Sequence, residues 1–168
     1  IKDAAEQEAM RASSKVNDDC MAEFEALIRP GITEKEMAEA IRGIYAAHGC
    51  SGVSFPPICG FGAHAADPHH DNDDTPLEAG QCVLIDVGGV YQDYCSDMTR
   101  TVVIGKASER QKEVYNVVLK AQLTALKGLR PGMLCKEGDR LARDVIEKAG
   151  YGQYFGHSLG HSVGLEIH

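Results

Sequence analysis

Met10, Ser13, Val16, Cys20, Phe24, Leu27 and Ile28 recur at spacings of three and four, the period of a helix with one buried stripe. Pro30-Gly31 breaks that pattern. Thr33, with Glu36 three residues on, forms a capping box for a second helix. That helix carries Met37, Ile41, Ile44 and Tyr45 on one side, and Gly49 ends it. The period then shortens. Residues 53–59 predict a strand interrupted by Pro56-Pro57, and 61–75 a polar loop. Cys82–Val87 is a compact apolar strand that contains Asp86, and 91–104 continues as strand rich in Thr, Val and Tyr. Ser108 caps a third predicted helix through Val114, Val118, Leu119 and Leu126, and a fourth runs over about 137–148. The last stretch, 154–168, is Gly-rich and reads as strand or loop.

One arrangement occurs twice. Ile28-Arg29-Pro30-Gly31-Ile32 precedes the second helix and Leu129-Arg130-Pro131-Gly132-Met133 the fourth. Glu36 matches Glu137, Ile41 matches Ala142 and Gly49 matches Gly150. The repeated order of long helix, Arg-Pro-Gly break, short helix and Gly points to an internal duplication. Its first copy covers about residues 1–107 and its second about 108–168. Gly49 is followed by about 55 residues of strand and hairpin, Gly150 by only 18, so the second half is expected to be truncated. Missing strands would leave an exposed sheet edge and uncovered apolar surface.

Composition narrows the function classes. At 168 residues and 43% hydrophobic the chain can bury a core of its own. A net charge of −8 argues against nucleic acid or an anionic membrane as partner. No apolar run reaches the roughly 20 residues of a bilayer span. The six cysteines form no C-x-x-C pair and several sit in apolar runs, which fits a reduced, cytoplasmic protein.

Candidate chemistry lies in three places. Asp86 interrupts an apolar strand, and a hairpin turning near Gln92-Asp93 would set it nearly opposite Asp97. Two carboxylates that close repel, and a divalent cation would relieve them; a local bond from Asp97 to Thr99 or Arg100 would serve as well. His157, His161 and His168 fall within twelve residues, separated mostly by small and apolar side chains. On helix or extended chain, residues four apart share a face, so His157 and His161 can point into one cleft. His69, in Asp67-Pro68-His69-His70, lies in a polar loop ahead of the Asp86 strand.

Together these residues resemble a known family. I-D-V-G-G-V-Y-Q-D-Y-C-S-D-M-T-R-T is similar to the central signature of Xaa-Pro aminopeptidases and Xaa-Pro dipeptidases (prolidases), and G-H-S-L-G-H-S-V-G-L-E-I-H to their second signature. The resemblance covers Ile1 to His168. It implies an α/β (α+β) pita-bread fold of two pseudo-symmetric halves, the second truncated here. It implies hydrolysis of the N-terminal Xaa-Pro bond of peptides by a water bound to two divalent ions, Mn²⁺ above all, with Co²⁺, Fe²⁺ or Zn²⁺ as alternatives. Asp86, Asp97 and His161 would be metal ligands. His69, His157 and His168 would orient substrate and support proton transfer. A homodimer is expected. The family's two Glu ligands lie downstream of the second signature, and Glu166 is not at a ligand position, so this chain alone is expected to bind metal weakly and not to hydrolyse peptides. The same fold also serves a creatinase-like non-peptidase hydrolase or a non-catalytic binding module; retention of Asp86, Asp97 and His161 argues against the former.

Overall fold

A computed structural model describes Ile1–His168, which divide into two compact units. The first comprises residues 1–106 together with the tail 162–168, the second residues 107–161.

The first unit opens with α1 (Ala4–Leu27) and α2 (Glu34–Ala47). Asp3 with Glu6 and Thr33 with Glu36 cap them reciprocally, each side chain taking a backbone N–H that the first helical turn leaves unpaired. Six short strands follow: β1 (Gly52–Val53), β2 (Ile58–Phe61), β3 (Cys82–Val87), β4 (Gly89–Tyr91), β5 (Tyr94–Cys95) and β6 (Met98–Val103). They make two antiparallel sheets, ordered β1-β4-β5 and β2-β3-β6. The expected strand over 91–104 is therefore split. Gln92 and Asp93 turn the chain with positive φ of 51° and 68°, and residues 96–97 break the ladder before β6. The expected polar loop contains a 3-10 turn at Gly62–Ala66.

The core of this unit follows the helical stripe closely. Val16, Cys20, Phe24, Met37, Ile41 and Tyr45 are buried against Cys59, Phe61, Val83, Ile85 and Val87. β3 alternates half-buried and buried positions, so Val83, Ile85 and Val87 face the core while Cys82, Leu84 and Asp86 share the other face. The tail joins this unit through Cys95, whose N–H donates to Gly164 O at 2.7 Å.

The second unit contains α3 (Glu109–Gly128), α4 (Cys135–Lys148) and a 3-10 turn at Gly152–Tyr154. Ser108 and Gln111 cap α3 reciprocally. Its core is small: Ala121 and Ala125 of α3 meet Ala142 and Ile146 of α4. The larger apolar residues of α3, Val114, Val118, Leu119 and Leu126, are exposed.

The repeated segments adopt the same local structure. Gly31 and Gly132 have φ of 91° and 85°, Gly49 and Gly150 of 82° and 85°. After α2 the Cys50 N–H donates to Tyr45 O, and after α4 the Tyr151 N–H donates to Ile146 O, both at 3.0 Å. Both helix ends are the same left-handed glycine stop.

Candidate metal and catalytic site

Asp86 and Asp97 belong to the first unit. The β3–β6 ladder pairs Asp86 with Thr99, not with Asp97. The turn at Gln92-Asp93 is where the sequence puts it, but the pairing it sets runs two residues further along. Thr99 Oγ1 donates to Asp86 Oδ1 at 2.7 Å. Asp97 lies two residues before Thr99, exposed, in the break between β5 and β6. Burial pushes the Tyr45 hydroxyl pKa up, and the negative charges of Cys20, Cys50, Asp86 and Asp97 push it further in the same direction. Asp86 is half-buried on the less covered face of β3, so its charge is only partly desolvated.

A buried polar network holds this region. Tyr45 Oη donates to Asn17 Oδ1 at 2.8 Å. Ser96 Oγ accepts from the Gly89 N–H at 3.1 Å and has Gly89 O at 3.0 Å and Asn17 Oδ1 at 3.2 Å as acceptors for its one proton. Ser96 N–H donates to Ser54 Oγ at 3.1 Å. Asp97 thus follows directly on a residue tied to α1, to the β1–β2 connection and to β4.

His69 is exposed, and its backbone N–H donates to Asp67 Oδ1 at 2.9 Å. His168 is exposed in the tail that joins the first unit. His157 and His161 belong to the second unit and are exposed there. His157 Nδ1 lies 2.9 Å from Ser158 O, and its ring meets Phe155 edge-on at 5.0 Å. The segment that carries both is tied down by an ion pair of α4. Arg143 binds Asp139 at 2.6 Å and donates to the carbonyls of Phe155 and His157 at 2.9 and 2.8 Å. Asp139 in turn accepts the Leu159 N–H at 2.9 Å.

A second cluster escapes the sequence patterns. Glu34, at the first position of α2, is completely buried. Its Oε1 accepts from the Phe61 N–H at 3.0 Å and lies 2.9 Å from His64 Nδ1. Its Oε2 accepts from the Asp73 N–H at 3.1 Å and lies 2.6 Å from His70 Nε2. The Glu34 carboxylate beside it holds His64 above the ordinary imidazole pKa, against the opposing effect of burial.

Residues 8–168 match metallopeptidase family M24. The chain belongs to this family. It is 40% identical over 168 residues to an uncharacterized peptidase of Staphylococcus epidermidis, covering all of this chain and 48% of that protein. Among solved structures it is similar to a Xaa-Pro dipeptidase from Bacillus anthracis, with TM-score 0.97 and 39% identity, covering 100% of this chain and 47% of that one. It is likewise similar to a prolidase from Pyrococcus furiosus, with TM-score 0.96 and 40% identity, covering 100% and 50%. The M24 domain therefore has the pita-bread α/β fold that the signatures imply, and it spans about half the length of these relatives.

Membership in a metallopeptidase family implies divalent metal, and the donors in the first unit fit one. Asp86 on β3 and Asp97 just ahead of β6 offer hard carboxylate oxygens, the donor type that Mn²⁺ and Mg²⁺ favour and that Zn²⁺, Fe²⁺ and Co²⁺ accept. No helix is long and apolar enough to cross a membrane.

Proposed function

We propose that this M24 domain is the metal-binding part of an exopeptidase that hydrolyses the N-terminal Xaa-Pro bond of peptides with proline in second position. The observation that carries this reading is the carboxylate pair of Asp86, on β3, and Asp97, in the break before β6, whose charges both act on the Tyr45 hydroxyl, in a chain that aligns along its whole length with a Xaa-Pro dipeptidase and a prolidase.

Asp86, Asp97 and His161 would hold two divalent ions, Mn²⁺ by preference, together with carboxylates of the remaining half of such a protein. When bound, the ions supply a water acidic enough to be a nucleophile near neutral pH. The protein's own residues do the rest. Thr99 holds the Asp86 carboxylate in place through the 2.7 Å bond to Oδ1. Ser96 sets the backbone from which Asp97 projects. His69, His157 and His168 would orient the peptide and carry the proton to the departing amine. A cytoplasmic homodimer is part of the same reading. So is an inactive state of this chain by itself, because three ligands make an incomplete dinuclear site.

The test is hydrolysis of a Xaa-Pro dipeptide by the full-length protein, stripped of metal and resupplied with Mn²⁺. Activity should return with the metal, and Asp97→Asn should lower kcat/KM by about a hundredfold or more, because metal-ion catalysis contributes several kcal/mol. Equal rates for wild type and Asp97→Asn would overturn the assignment. The 168-residue chain should show weak Mn²⁺ binding and no turnover.

A further inference from the structure

We propose that Glu34, His64 and His70 form a separate three-ligand site for one borderline divalent cation of the Zn²⁺ type. The three donor atoms all lie within 4.8 Å of one another. The set does not include Asp86, Asp97 or His161.

The geometry is close to what zinc needs. Bonds of 2.0 to 2.2 Å at tetrahedral angles separate neighbouring donors by about 3.3 Å. Here His64 Nδ1 stands 2.9 Å from Glu34 Oε1 and His70 Nε2 2.6 Å from Glu34 Oε2, and with one donor atom per residue all three lie within 4.8 Å, so binding an ion requires the donors to regroup around one Glu34 oxygen. His64 lies in a 3-10 turn and His70 in irregular chain, and neither is fixed in a long ladder. The rings are already tilted together, with centroids 4.2 Å apart.

The surroundings also suit an ion. Side-chain exposure rises from 0% at Glu34 through 11% at His70 to 35% at His64. The cluster is closed on its inner side and open to water beyond His64, which leaves the fourth position for solvent. Backbone N–H groups of Phe61 and Asp73 orient the carboxylate, one on each oxygen, as outer partners commonly do for metal-bound carboxylates. Asp67 and Asp73 add negative potential at His64. Two neutral imidazoles and one carboxylate are the donor set of hydrolytic zinc sites, and they carry a single negative charge toward a dication.

Without a cation, the same three residues would form a plain ion pair of protonated imidazole and carboxylate. Titration with Co²⁺ and Zn²⁺ at about pH 8, where imidazole offers its lone pair, separates the two cases. The Asp86→Asn/Asp97→Asn protein is used, so that the proposed peptidase ligands are silent. One equivalent of Co²⁺ should give the visible bands of a four-coordinate site, and Zn²⁺ should displace it. His64→Gln and His70→Gln should each weaken Zn²⁺ binding by about a hundredfold. Glu34→Gln disturbs the buried acceptor of the Phe61 and Asp73 N–H groups, so the His64 variant, altered at a partly exposed position with its circular dichroism unchanged, decides. No Co²⁺ bands, or Zn²⁺ affinity within about threefold of the parent in both histidine variants, would overturn the site. The second outcome would assign any bound zinc to adventitious donors such as the exposed Cys135.

Discussion

Gly88 shows how a single atom can govern the carboxylate pair. A Cβ built on Gly88 would run into the backbone carbonyl of Ser96, and one on Gly89 would meet Cys50 Sγ at 2.7 Å and Tyr45 Cδ1 at 2.8 Å. Neither obstacle is the loose end of a flexible side chain. Gly88 is there because the chain passes directly against the segment that leads into Asp97, and Gly89 because it packs on Tyr45 and Cys50. Gly88→Ala is therefore expected to push the Ser96-Asp97 segment outward and to destabilise the protein by about 3 kcal/mol, the upper end for overpacking. Urea unfolding measures the loss, and the full-length variant should lose Mn²⁺ affinity as well. A change under about 0.5 kcal/mol would mean that the hairpin gives way freely. This constraint was partly visible beforehand, since V-G-G-V-Y-Q-D-Y lies inside the signature. Glu34 was not. It reads as an ordinary first-turn helix acid, and its burial depends on Phe61 and Asp73, which lie 27 and 39 residues away. Nor does the sequence distinguish His69 from His70, although only the second reaches Glu34.

At the scale of elements, what was legible is what is local. The Thr33 and Ser108 caps, the Arg-Pro-Gly breaks and the glycine helix stops are decided within four or five residues, and they stand where the pattern puts them. The pairing register was legible by counting, and the expected pairing of Asp86 with Asp97 miscounts it. A two-residue turn at Gln92-Asp93 pairs Tyr91 with Tyr94 and Val90 with Cys95, and the same register carried outward sets Asp86 opposite Thr99. The ion pair on α4 could be read only as an i, i+4 spacing; its hold on the loop from Phe155 to Leu159 comes from chain geometry. That hold depends on pH in a definite direction. Arg143 lowers the Asp139 pKa below its ordinary 3.8, burial opposes, and the Leu159 N–H adds to the lowering. A depressed carboxylate contributes stability that is complete above its unfolded pKa and is lost as pH falls through the lower folded value. Asp139→Asn should thus cost roughly 1 to 3 kcal/mol at neutral pH. The gap to wild type should close under acid, at and below the pH where free aspartate titrates. Urea midpoints of both proteins at several pH values measure this, and a gap that persists unchanged in acid would count against it.

At the scale of the molecule, the two units have very different cores. Fifteen buried residues, Phe24, Tyr45 and Phe61 among them, make up the first cluster. The second has four, and three of those are alanines. Apolar burial contributes about 25 cal/mol per Å², and alanine has little area to give. Meanwhile α3 turns Val118 and Leu126 outward at 53% and 65% exposure. A surface of this kind belongs against something apolar. The sequence anticipates uncovered apolar surface in a second half with few strands, but not that the small face of α3 would be the one packed. Two consequences follow for the 168-residue chain. Unfolding should not be two-state, with residues 107–161 opening at lower denaturant than residues 1–106. Hydrogen exchange read by mass spectrometry should find amides of α3 and α4 exchanging well before those of α1 and β3. The chain should also self-associate as its concentration rises, and Val118→Lys/Leu126→Lys should suppress this without altering exchange in the first unit. Light scattering after size exclusion decides the second point. A monomer at all concentrations, with uniform protection across both units, would mean that four small core residues suffice to hold α3 and α4, and that the exposed face of α3 needs no cover.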